Sequence, residues 1–295
     1  MDVQSLFGVK VELNPLSQAS PHQLNLTNSS QDKVVLVTGG AKGVGRMISE
    51  AFVVNGARVY IASRDAAACE AACAELNALS ASSSGSGSAV SLPADLSQLS
   101  ECQRLATTLS QREKALHVLI NNSGATWGEP YDTYPDAAWT KLLTLNLQRV
   151  FTLTQALTPL LEAAGAVSKQ GDVVLDPGRV IHIGSIDALR TPLLPTFAYS
   201  ASKAGLHHLS RHLAIELGPR GVTSNVLACG PFPSKMMAAT LKEFGEEIKG
   251  ANPLGRIGMP SDVGGACIFL ASKAGGFVNG ATLALDGGVR LMSKI

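Results

Sequence analysis

Tyr199 and Lys203 stand four residues apart in Y-S-A-S-K, and Ser185 lies fourteen residues upstream in the apolar run R-V-I-H-I-G-S-I. One turn of helix sets a phenol and an ammonium side by side. A free tyrosine has a pKa of about 10 and is a poor base near neutrality. A fixed positive charge within about 4–6 Å favours the phenolate, so Lys203 is expected to lower the Tyr199 pKa. A tuned phenol beside a serine hydroxyl suits the transfer of a proton on or off a carbinol oxygen. The spacing alone occurs by chance in many helices, so its meaning depends on the rest of the chain.

A second chemical signal lies near the start. The run K-V-V-L-V-T enters T-G-G-A-K-G-V-G at 38–45. Gly39, Gly43 and Gly45, with Val44 between the last two, allow a tight turn, close backbone approach and helix–strand packing around a pyrophosphate. The helix that follows offers unpaired N–H groups to the phosphates. An ordinary glycine-rich strand–helix turn is the alternative; the strand before and helix after favour cofactor binding. The next strand ends in I-A-S-R-D, where an acidic residue would take the ribose hydroxyls of NAD. Ser63 and Arg64 stand there instead, and Lys42 lies in the turn, so cations face the position of a 2′-phosphate. NADP(H) is therefore expected over NAD(H), with Asp65, one place later, as the rival signal.

These residues need a scaffold that brings strand ends together. Apolar, β-branched runs suggest strands at 33–38, 57–62, 89–92, 118–121, 179–183, 223–227 and 282–285. Helical patterns fall at 44–54, 66–79, 100–112, 135–165, 198–217, 234–244 and 261–271. Such alternation predicts an α/β Rossmann fold: a doubly wound, seven-stranded parallel sheet with helices on both faces. Residues 1–31 read as an N-terminal extension and 32–295 as a single catalytic domain. Within it, S-A-S-S-S-G-S-G-S at 80–88 has the composition of a flexible insert, and 165–178 that of a surface loop.

Composition excludes several classes. The 295 residues are 45% hydrophobic and 16% charged, with a formal net charge of +1. That balance gives no basis for capture of nucleic acid or of an anionic membrane. No secretory leader or run of about 18 apolar residues stands out. The five cysteines are scattered and suggest neither a disulfide framework nor a metal site. A cytoplasmic protein is the expectation. The tail Ser293-Lys294-Ile295 resembles a peroxisomal address with its last residue changed.

The glycine-rich turn, the Tyr–Lys pair and the upstream serine, in this order, resemble the short-chain dehydrogenase/reductase family over about residues 32–290. The resemblance implies a catalytic group of Asn146, Ser185, Tyr199 and Lys203. In it, Asn146 holds a water, Ser185 bonds the substrate oxygen and Tyr199 exchanges the proton. Lys203 bonds the nicotinamide ribose and depresses the tyrosine pKa. It also implies that Asp95 and Leu96 contact the adenine, and that Asn122, Ser123 and Gly124 line the cofactor. After the sixth strand the chain departs from the family pattern. Cys229 replaces a proline and Ser234 a threonine, in C-G-P-F-P-S; Phe232 and Ser234 are still expected at the cofactor. Within the family, N-N-S-G-A-T-W-G-E-P and G-P-F-P-S-K-M resemble 3-oxoacyl-thioester reductases of the rhamnolipid type.

Candidate substrate residues are Trp127, Ile186, Asp187, Phe197 and Met236, with the segment 231–258 as the substrate loop. The set is mostly apolar and suits a 3-oxoacyl or polyketide-like ketone, the thioester included. The expected activity is NADPH-dependent reduction of such a ketone. A secondary-alcohol dehydrogenase, or a peroxisomal enoyl- or dienoyl-thioester reductase, is the alternative. A non-redox cyclase or scaffold that keeps NADP is the reading from another class. The family resemblance implies a homodimer or homotetramer through the helices at 135–165 and 198–217.

Overall fold

Five consecutive buried residues, Val34–Thr38, make the central strand β1, and their alternation serves two cores at once. Val35 and Val37 face one cluster and Leu36 the other. A computed structural model describes residues 30–82, 87–192 and 194–292. The expectations for residues 1–29 and for the tail tripeptide fall outside these residues.

The chain alternates strand and helix, as the periodicity predicts. After β1 come α1 (Gly43–Val54), β2 (Arg58–Ala62), α2 (Ala66–Ser82), β3 (Ser88–Ser91), α3 (Leu99–Arg112) and β4 (Val118–Asn121). Then follow α4 (Asp136–Leu143), α5 (Arg149–Val167), a short β5–β6 hairpin (Lys169–Gln170 and Val173–Val174) and β7 (Gly178–Ser185). The chain continues with α6 (Phe197–Leu217), β8 (Val222–Cys229), α7 (Ala238–Gly250), α8 (Pro260–Ala271) and β9 (Thr282–Leu285). Seven strands form one sheet in the order β3-β2-β1-β4-β7-β8-β9, and every pairing in it is parallel. The apolar residues of α1, α2 and α8 pack in one core, those of α3, α5 and α6 in the other. The order reverses at β1, whose neighbours β2 and β4 leave in opposite directions; a crevice at their C-terminal ends follows.

Four boundaries differ from the sequence reading. The helix expected at 135–165 is interrupted by a π turn at Thr144–Gln148. Asn146 sits in that turn, bonded sideways to the backbone of Ala125, which explains the break in an otherwise helical pattern. At the insert expected at 80–88, α2 runs to Ser82 and β3 begins at Ser88, and the Ser80 hydroxyl donates to the Gly87 carbonyl at 2.7 Å. The surface loop at 165–178 begins as the last turn of α5 and closes as the β5–β6 hairpin. The helix expected at 234–244 is displaced to Ala238–Gly250, with non-helical backbone at Phe244 before Gly245.

The stretch Asp136–Val167 is long and apolar enough to cross a membrane by length and composition alone. It contains the π turn, and half of its apolar window is buried within the fold. The free cysteines Cys69, Cys73, Cys102 and Cys267 are buried, and no group of metal-ligating side chains occurs among the described residues.

Candidate active site

At the end of β1 the backbone turns under the first helix. Gly39 has a φ of +65°, a left-handed value that favours glycine. A Cβ on Gly45 would collide with the Gly39 carbonyl and the Asn122 amide, so the turn closes only around a bare α-carbon. Thr38 ties this turn to β4: its hydroxyl donates to the Ile120 carbonyl and accepts from the N–H groups of Asn122 and Ser123 at 2.9 and 3.0 Å. Asn122 Nδ2 in turn donates to the Thr38 carbonyl at 2.8 Å. Helix α1 has no carboxylate in its first turn and no side-chain cap, so its N–H groups remain available to an anion. A Cβ on Gly43 would meet Ser234 at 3.2 Å, which places the start of the substrate segment against the turn. The cradle fits a dinucleotide pyrophosphate.

The turn beyond β2 is more exposed. Lys42 pairs with Asp65 at 3.0 Å. The other oxygen of Asp65 caps α2 by accepting from the Ala68 N–H at 3.0 Å. This cap, then the Lys42 ammonium, holds the Asp65 carboxyl below the usual range. The rival acid is thus engaged locally, while exposed Arg64 forms no ion pair among the described residues. Ser63 accepts the Ala94 N–H on its carbonyl at 3.1 Å. Beyond β3, Asp95 accepts from the Ser97 N–H and hydroxyl at 3.1 and 2.8 Å, and Leu96 is buried.

The catalytic candidates converge from three elements. Asn146 comes from the π turn, Ser185 from the end of β7, and Tyr199 and Lys203 from α6; Gly124, a cofactor candidate in the loop after β4, lies against Asn146. Asn146 Oδ1 accepts from the Ala125 N–H at 2.9 Å, and its Nδ2 donates to the Ala125 carbonyl at 2.9 Å and to Ser202 Oγ at 3.0 Å. Ser202 donates to the Tyr199 carbonyl at 2.7 Å, so it couples the turn to the first part of α6. Lys203 Nζ donates to the Ile183 carbonyl at 2.7 Å and lies 5.8 Å from the centre of the Tyr199 ring. Ser185 Oγ accepts from the Asp187 N–H at 3.1 Å, which starts a turn at Ile186–Ala188.

The titration of this group differs from the sequence expectation. Burial raises the Tyr199 phenol to about 12, against an opposing pull from the Ser185 hydroxyl; Asp187 and Cys229 push it further up. Burial also lowers the Lys203 ammonium to about 8, with no carboxylate to hold its charge. The expected depression of the phenol by Lys203 is absent because burial disfavours both charged forms. Near neutrality the site therefore presents a protonated phenol. Burial likewise lifts the Cys229 thiol to about 12, so it stands as a neutral neighbour.

Around these groups lies an aromatic rim. Phe197 meets Tyr131 and Tyr134 edge-on, with ring centres 5.9 and 5.3 Å apart. Trp127 carries the Lys141 ammonium over its ring at 5.2 Å. Met236 is exposed, whereas Ile186 and Phe232 are buried. Asp187 has its carboxyl raised by burial, opposed by Arg190 at 3.9 Å. The segment 231–258 is closed at its base, where the Gly258 N–H donates to the Pro231 carbonyl at 2.9 Å. Thr38, Tyr134 and Ser202 are positioning residues that spacing does not reveal. The Tyr134 hydroxyl donates to the Trp127 carbonyl at 3.4 Å and accepts from the Ala198 N–H at 3.3 Å. The second serine of Y-S-A-S-K was the available signal for Ser202.

Known proteins are similar to this chain in sequence and in fold. The family described as "Enoyl-(Acyl carrier protein) reductase" matches residues 39–290. A rhamnolipids biosynthesis 3-oxoacyl-[acyl-carrier-protein] reductase of Pseudomonas aeruginosa is 37% identical over 88% of this chain and 96% of its own length. Galactitol 2-dehydrogenase (L-tagatose-forming) of Cereibacter sphaeroides is 34% identical over 85% of this chain and 92% of its own. The structure of the Pseudomonas aeruginosa RhlG/NADP active-site complex superposes with a TM-score of 0.82 at 36% identity, covering 90% of this chain and all of that one. With a family match over most of its length and relatives above 30% identity, the chain belongs to the short-chain dehydrogenase/reductase family of oxidoreductases acting on carbonyl and alcohol groups.

Proposed function

We propose that this chain reduces an apolar ketone of the 3-oxoacyl or polyketide-like class with NADPH, and that Tyr199 delivers the proton. The observation that carries the reading is the grouping of Ser185 at the end of β7 with Tyr199 and Lys203 on α6, where Lys203 Nζ lies 5.8 Å from the centre of the Tyr199 ring. A nicotinamide dinucleotide bound at the cradle supplies the hydride. Ser185 orients the carbonyl oxygen through its hydroxyl, and Tyr199 passes its proton to that oxygen as the carbonyl carbon is reduced. The product is the secondary alcohol. The phenolate left behind faces the Lys203 ammonium, which Ile183 holds in place and whose proton is labile at a pKa of about 8. Asn146 keeps α6 and the Ala125 loop in register through Ser202.

Secondary-alcohol oxidation uses the same groups in reverse and has support in the galactitol 2-dehydrogenase relative. The 2′-phosphate preference rests on Lys42 and exposed Arg64, and on the NADP named in the RhlG complex. A homo-oligomer rests on exposed apolar residues of α4–α6, Leu143, Phe151 and Ile215, beside a groove of about 390 Å³ lined by Leu147, Leu209 and His212.

The test is NADPH oxidation across 3-oxoacyl thioesters, polyketide-like ketones and simple diketones, with Tyr199→Phe as control. Tyr199→Phe is expected to lower kcat by at least about 100-fold while cofactor binding stays near wild type. Unchanged turnover refutes the acid role. The KM for NADPH is expected to be at least about tenfold below that for NADH; a clear NADH preference sinks the cofactor assignment.

A further inference from the structure

Beyond the end of β4 the strand β7 continues alone on that side. The β4 register stops at Asn121 opposite His182, whereas β7 runs three residues further to Ser185. Two backbone groups of this extension are met by side chains from α6, one turn of helix apart. The Ile183 carbonyl accepts from Lys203 Nζ, and the Ser185 N–H donates to His207 Nε2 at 3.4 Å. His207 is 3% exposed. Its ring lies so close to the backbone of β7 that a Cβ on Gly184 would collide with Nε2. Glycine at 184 and histidine at 207 are thus complementary in shape.

From this geometry we infer that His207 is a positioning residue for Ser185, fixing the backbone from which the serine hydroxyl is presented. The inference rests on the reductase reading above. To accept from the Ser185 N–H, Nε2 must be the bare nitrogen and Nδ1 must carry the proton. Burial, then the Lys203 and Arg211 charges, lowers the ring to about 4, so it is neutral and able to accept near neutrality. The Nδ1 end is buried without a protein partner among the described residues. A leucine of similar size would not carry that cost, so stability is a poor reason for a histidine here. The contact to Ser185 gives the polar ring a reason. His207 touches the backbone of β7 and acts through the serine.

Steady-state kinetics on the full chain test this, with Ser185→Ala as the reference background. His207→Leu is expected to lower kcat by about tenfold, because small displacements of a reacting group have large kinetic effects. The KM for NADPH is expected to stay unchanged. His207→Gln offers a neutral acceptor and is expected to keep most of the rate. Gly184→Ala reaches the same contact from the strand side and is expected to match His207→Leu, which keeps the test alive if the leucine variant does not fold. In Ser185→Ala, either substitution is expected to cause no further loss. Full turnover in both His207→Leu and Gly184→Ala overturns the inference. So does an equal loss in the Ser185→Ala background, or failure of glutamine to rescue. If Ser185→Ala itself leaves turnover intact, it is the reductase reading that fails.

Discussion

The protein buries a lysine at each end of its sheet, and the two are treated differently. Lys33, at the start of β1, donates to the Asp176 carboxylate at 2.9 Å and to the Ala271 carbonyl at 2.8 Å. Arg179, with no exposed surface, joins the same carboxylate at 2.9 Å. Its other donors meet the carbonyls of Leu270, Ser272 and Pro177 around the end of α8. Lys203, at the opposite end, has one backbone carbonyl and no carboxylate. Burial lowers the pKa of both lysines, but the Asp176 carboxylate opposes it at Lys33, whereas no carboxylate among the described residues does so at Lys203. The fold thus separates a charge that stabilises from one kept ready to react. The first is surrounded by compensating groups, the second left close to neutralisation.

Asp176→Asn breaks the comparison most strongly. It leaves two buried cations on carbonyls alone and is expected to cost about 3–5 kcal/mol of folding stability. Urea denaturation reads this, and turnover per folded molecule is expected to be unchanged. A loss below about 1 kcal/mol would mean that the carbonyls suffice. Lys203→Met is the mirror experiment. Turnover is expected to fall at least about 100-fold, while stability stays level or rises by about 1 kcal/mol. A destabilisation equal to that of Asp176→Asn would erase the contrast. The smallest effect is in pH. Lys203 falls from its ordinary 10.5 to about 8, so between these values the unfolded chain binds the extra proton. The lysine's contribution to stability therefore increases with pH across that window. The reduction rate is expected to decline through about 8, while Tyr199 stays protonated to about 12. Denaturation of the wild type and of Lys203→Met across this range checks the sign, because the methionine variant should lack that increment.

Much of the scaffold was legible because local chemistry determines it. The runs Val34–Thr38 and Val118–Asn121 are continuous apolar strands buried on both faces, and each lies where its composition places it. The glycine cradle is legible for the same reason, since the turn and the close approach are properties of a few adjacent residues. Contacts across the chain are not legible in this way. Lys33 and Asp176 are separated by 143 positions, and nothing near either announces the other. The start of α7 follows the turn at Ser234–Met237, where the Met237 N–H meets the Ser234 hydroxyl at 3.3 Å and delays the helix. The direction of the Tyr199 shift depends on burial, which a four-residue spacing does not contain. Spacing correctly brings Tyr199 and Lys203 together on one helix but cannot say how dry their surroundings are.

The π turn at Thr144–Gln148 makes the long helical arm between β4 and β7 behave as two gears out of phase. Each residue of a regular helix advances its face by about 100°. Removing one residue from the turn would let the arm run as a single helix, but every side chain on one side of the change would rotate by that amount relative to the other. Either Asn146 would leave the Ala125 loop, or Leu153, Leu157 and Leu161 would leave the core. The arm therefore tolerates substitution along its surface far better than it tolerates a change of length.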